Sequence, residues 1–185
     1  MELRINKIQM ADKNWLSALG ASITEGGEYE LKLLFVASDG LHDQIPHVQL
    51  KPFNIKIDSG IHKFGEYGYT VYRNPRDIIP PWLDCHFTLL EDDSGIRDTA
   101  ALMDAAIQTP AYKSLLDVVA GVVAAPYQPL VMVGDALFNI MLSVLTGNKD
   151  DNFMQQDFSF LQRAHEFDKP FSLENEKLKA DFTFV

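Results

Sequence analysis

Cysteine is almost missing from this chain: Cys85 stands alone among 185 residues. One thiol excludes an internal disulfide framework and any multi-cysteine zinc site. Basic residues are also scarce, 16 Lys and Arg against 26 Asp and Glu, for a formal charge of −10. A phosphate backbone would meet net repulsion, so no nucleic acid partner is expected. Long uninterrupted apolar runs are lacking too. Val118 to Gly134 carries no charge, yet Pro126, Gln128 and Pro129 interrupt it and Asp117 and Asp135 bound it. A spanning helix needs about 20 apolar residues without such breaks, so this stretch reads as parts of two buried helices. The first residues, Met1-Glu-Leu-Arg-Ile-Asn-Lys, interleave charge with apolar side chains. They do not read as a secretory signal, and the expected compartment is the cytoplasm. There is no internal repeat, no Gly-x-Ser-x-Gly, no phosphate-cradling glycine loop and no dinucleotide fingerprint.

What is present is apolar and patterned. Hydrophobic residues make up 46% of the chain, enough for one sizeable core and one domain over residues 1–185. From residue 2 to about 91 the period is two. Tyr29, Leu31, Leu33 and Phe35 alternate with Glu28, Glu30 and Lys32, and Phe53, Ile55 and Ile57 with Asn54, Lys56 and Asp58. Tyr67, Tyr69 and Val71 continue the pattern, and Cys85, Phe87 and Leu89 oppose His86 and Thr88. Leu3 and Ile5 share a face, while Ile8 and Met10 share one offset by a residue, which predicts a bulge near Asn6-Lys7. Five half-buried strands follow, with loops at 11–27, 39–48, 58–66 and 73–83.

Between residues 98 and 147 the period becomes helical. Asp98 can cap a short helix through Ile107, and Thr109-Pro110 is a start signal, a hydroxyl at the N-cap followed by proline at the first helical position. Tyr112, Leu115, Leu116, Val119, Val122 and Val123 recur at helical spacing up to Pro126. Beyond Pro129, Leu130, Val133, Leu137, Phe138, Met141, Leu142 and Leu145 form a wide apolar face. Asp135, Asn139, Ser143 and Thr146 form the narrow polar one, and Gly147 is a stop. Strand character then returns at Phe158 and Phe160, and again at Leu178, Ala180, Phe182 and Phe184. The polar stretch Gln162 to Lys177 reads as loop or short helix. Strands on both sides of the helices predict a mainly β domain of seven or eight strands with a helical insertion over 98–147.

Four segments carry a likeness: Val71-Tyr72, Ile79-Pro80-Pro81-Trp82-Leu83, Leu89-Leu90-Glu91-Asp92-Asp93 and Gly147-Asn148-Lys149-Asp150-Asp151. Over about residues 50–160 the chain resembles uncharacterised bacterial proteins with a C2-like β-sandwich and apolar helices. The likeness implies an antiparallel C2-like sandwich with an inserted amphipathic helical segment, and it implies no particular activity.

The candidate sites are acidic loops and two tryptophans. Asp39, Asp43, Asp92, Asp93, Asp150 and Asp151 sit in loops that could supply oxygen ligands to a calcium ion, which takes six to eight of them. Asp39 and Asp92 each follow a strand, and share an end if those strands run in one direction. Asp and Asn are equally turn and capping residues, so calcium is optional and no cofactor is required. Trp15 and Trp82 fall outside the strand pattern and suit interface anchors. His86 points away from Cys85 on an alternating strand, which disfavours a Cys–His nucleophile pair. The expected function is therefore a non-enzymatic accessory or interaction domain that binds another protein, with homo-oligomerisation left open. One alternative is a membrane-active protein that inserts the 110–146 hairpin into lipid. Another is a small carboxylate-dependent hydrolase.

Overall fold

The computed structural model describes residues 1–11, 27–39, 41, 46–74, 76, 78–92, 95–122, 128–147 and 152–185. Among these lie β1 (Glu2–Met10), β2 (Glu28–Asp39), β3 (His47–Lys56), β4 (Ile61–Lys63), β5 (Tyr69–Arg73) and β6 (Trp82–Glu91). Helices α1 (Thr99–Ile107), α2 (Pro110–Val122) and α3 (Gln128–Gly147) come next, then β7 (Asn152–Leu161), β8 (Phe171–Glu174) and β9 (Leu178–Phe184). The chain is mainly β, with all strands antiparallel in two sheets. One sheet runs β3-β2-β6-β7. The other runs β4-β1-β9-β8, with β5 also pairing β1.

The bulge in β1 has a clear purpose. Ile5 pairs with Phe182 and Lys7 with Asp181, leaving Asn6 as the extra residue. This one-residue slip returns Ile8 and Met10 to the face that Leu3 and Ile5 already occupy, and all four are buried. Two strands exceed the sequence expectation. β4 is three residues beside Gly60, too short to show alternation, and β8 offers only Phe171 and Leu173 within a polar stretch. Among the described residues both pair along one side only, where little of a strand's surface need be apolar.

The two sheets pack face to face. Leu3, Ile5 and Ile8 of β1 and Phe182 of β9 meet Leu31, Leu33 and Phe35 of β2 and Phe87 of β6 in one core. Phe87 stands edge-on to Phe182, with ring centres 5.6 Å apart. A second core lies on the far side of the β2–β6 sheet, where Leu34, Val36, Leu50 and Leu90 are covered by Leu102 and Ala106 of α1 and by Leu137, Phe138 and Met141 of α3. The central strands β2 and β6 are thus buried on both faces from Lys32 and Cys85 onward rather than half-buried. The unbroken run Leu33-Leu34-Phe35-Val36-Ala37 is the sequence trace of this.

The helices start where side-chain oxygens satisfy free backbone N–H groups. Asp98 accepts from Ala101 N at 2.8 Å, and Thr109 Oγ1 accepts from Tyr112 N at 3.1 Å while donating to Ala106 O. Thr99 Oγ1 accepts from Leu50 N at 2.9 Å, tying α1 to strand β3. The layers therefore run sheet, sheet, helices.

Candidate functional site

The described acidic candidates do not converge. β2 and β6 are antiparallel neighbours, with Leu31 opposite Glu91 and Asp39 opposite Leu83. Asp39 and Asp92 therefore lie at opposite ends of the sheet, about 27 Å apart at ~3.4 Å per residue, and cannot share an ion. Each is already engaged. Asp39 accepts from the Tyr72 hydroxyl at 2.5 Å and from Leu41 N at 2.9 Å. Burial, reinforced by that carboxylate, holds the Tyr72 phenol far above the usual range. Asp92 Oδ1 stands 2.7 Å from Lys32 Nζ, with the two side chains 3% and 0% exposed. Its geometry there is that of a coulombic contact rather than a directed hydrogen bond. Arg97 Nε meets the other oxygen at 3.1 Å. Asp43, Asp93, Asp150, Asp151 and Trp15 lie outside the described residues. Trp82 opens β6 opposite Leu161 and is half-buried.

A different polar cluster sits where the β2–β6 sheet meets α3. Asp84 and His86 project from β6 toward the helices, Ser38 of β2 is paired with Asp84, and Asp157 of β7 with His86. From above, α3 brings Gly134, Asp135 and Phe138. Phe138 stacks on the imidazole at 5.1 Å, and a Cβ at position 134 would collide with Ser38 Oγ and stand 3.8 Å from His86 Nε2. Glycine is what lets α3 lie this close to the sheet.

His86 is 6% exposed and surrounded by carboxylates. Nδ1 lies 2.8 Å from Asp157 Oδ1. An ionised carboxylate only accepts, so Nδ1 carries the proton and, in the neutral ring, Nε2 the lone pair. Nε2 is 3.0 Å from Asp135 Oδ1 and 3.6 Å from Asp84 Oδ2, yet makes no hydrogen bond among the described residues. Ser38 Oγ, buried beside Gly134, likewise has no hydrogen-bond partner among the described residues. Burial raises the Asp84 pKa, Asp135 and Asp157 push the same way, and His86 opposes them. Asp135 and Asp157 are both more than half exposed, which leaves the cluster open to solvent on one side.

Cys85 faces the inter-sheet core, and burial drives its thiol well above the ordinary range. Among the described residues Ser38 Oγ makes no hydrogen bond to His86.

The helical layer offers a second feature. Leu116 and Val118 of α2 are 52% and 55% exposed, and Met132 of α3 is 65% exposed, while Leu137 and Met141 of α3 are buried. Sequence periodicity finds that inward face. It misses the His86 cluster because only the Asp84–His86 alternation is local, while Ser38, Asp135 and Asp157 arrive from three other elements.

Comparison with known proteins finds no matching family model, no matching curated protein and no matching solved structure.

Proposed function

We propose that the chain is a non-enzymatic interaction domain of C2-like architecture that binds another protein through its helical layer. The observation that carries this reading is the outward exposure of Leu116 and Val118 on α2 and of Met132 on α3, in a helical layer whose α1 and α3 bury their other apolar side chains against the sheet. Scattered surface leucines are ordinary, but three large apolar side chains on the outermost layer favour a covered surface. The surroundings select the partner's chemistry. Over 98–147 the charged residues are Asp98, Asp104, Asp117 and Asp135 against Lys113 alone. A protein presenting apolar side chains among lysines or arginines complements that surface.

Two observations favour this over the membrane reading. Leu137 and Met141, which a lipid-inserting hairpin would have to release, are packed on the sheet. Among the described residues no helix is long and apolar enough to cross a membrane. A defined probe tests the proposal. A basic amphipathic helical peptide of Leu and Lys should bind, weaken with added salt, and be lost on Val118→Asp. A scrambled peptide of equal composition should not bind. Equal binding of both peptides, or partition of the protein onto vesicles in preference to either, would contradict it.

A further inference from the structure

We infer that Asp84, His86 and Asp135 form a binding site for one divalent metal ion of zinc-like character, with Asp157 as the group that orients His86. Each of the three offers a ligand atom, and these atoms lie within 4.8 Å of one another. A tetrahedral ion with ligands at ~2.0–2.1 Å separates its ligand atoms by about 3.3 Å. The observed separations from His86 Nε2, 3.0 Å to Asp135 and 3.6 Å to Asp84, bracket that value.

The buried nitrogen argues for the ion independently of the acidic count. Nδ1 is fixed by Asp157, which is how a carboxylate holds a metal-ligating imidazole and raises its basicity. Nε2 is then aimed between two carboxylates without a hydrogen bond, although one oxygen is only 3.0 Å away. A proton on Nε2 would need an acceptor in line with the N–H bond, and neither carboxylate is so placed. A cation between the three atoms would satisfy all of them, and would offset the repulsion among Asp84, Asp135 and Asp157. Ser38 Oγ, equally buried and unbonded, adds a polar atom next to the cluster. Calcium fits poorly, because an imidazole is a poor ligand for it and six to eight oxygens are not gathered here. Three protein ligands on zinc leave a further position for water or a side chain of a bound protein. Because Asp84 and His86 belong to β6 and Asp135 to α3, the ion also ties the helical layer to the sheet.

Zinc titration of the full chain against a chromophoric chelator tests this, with cobalt absorption reporting the geometry. One ion per chain is expected, with intense visible cobalt bands and no displacement by millimolar calcium. Asp135→Asn changes an exposed side chain and should keep the fold, checked by an unchanged apo thermal midpoint, while weakening zinc at least tenfold. Asp157→Asn should keep the stoichiometry and weaken zinc by about 10–100-fold, the usual effect of losing an outer-shell partner. His86→Gln should abolish the cobalt bands, and His165→Asn, in an exposed turn, should change nothing. Absence of binding by the folded wild type at 100-fold excess zinc, or binding that Asp135→Asn and His86→Gln both leave intact, would overturn the site.

Discussion

At the residue scale, a costly arrangement is the buried pair formed by Lys32 and Asp92. Both are removed from water, and removing charges from water costs several kcal/mol per ion unless the partner is close. Lys32 lies on the helix-facing side of β2, where a continuous apolar row would otherwise be expected, and its partner arrives one residue past the end of β6. Breaking such a pair leaves one buried charge. Lys32→Met is expected to lower unfolding stability by about 3 kcal/mol, at the low end of the usual 3–5 because Arg97 still meets Asp92. The double variant Lys32→Met/Asp92→Leu should recover most of it. Denaturant midpoints at constant m-value measure both, and a single-variant loss below about 1 kcal/mol would show that the pair is not buried as described. In the sequence, Lys32 and Asp92 read as a surface charge and a calcium-loop acid. Nothing local reveals that they meet, because their contact depends on the pairing of β2 with β6.

At the element scale, β9 is the strand on which one whole sheet depends. It lies between β1 and β8, pairing with both, and Leu178, Ala180 and Phe182 are fully in the core. Each large apolar side chain there contributes about 1.5–3 kcal/mol by burial, against a typical net stability of about 5–15 kcal/mol. Removal of residues 177–185 is therefore expected to abolish cooperative folding; a truncated protein with an unchanged thermal midpoint would refute this. The alternation Leu178, Ala180, Phe182, Phe184 makes the strand readable from residues alone. So does the offset between Leu3-Ile5 and Ile8-Met10, which forces the Asn6 bulge. The caps at Asp98 and Thr109 are equally local, since their oxygens reach only three residues along the chain. β4 and β8 are not readable, because short strands paired on one side bury too few residues to set a period.

At the scale of the whole molecule, the decisive feature is that one sheet is buried twice, against its partner sheet and against the helices. The apolar runs in β2 and β6 announce this once the layers are known. What the sequence does not carry is the meeting of β2, β6, β7 and α3 around His86, since that cluster exists only after the sheet order is set and α3 lies across it. Both the exposed face of the helical layer and the His86 centre require α3 to be docked with Leu137 and Met141 inward. Thiol labelling tests this most directly, in a Cys85→Ala background with single cysteines at 137, 139, 141 or 132. Cysteines at 139 and 132 should react at the rate of an exposed thiol, and those at 137 and 141 at least about a hundredfold more slowly, the factor given by a local opening free energy of ~2.7 kcal/mol. Equal rates at all four positions in a folded protein would mean that α3 is not packed on the sheet, and would contradict the three-layer architecture together with the metal centre that depends on it.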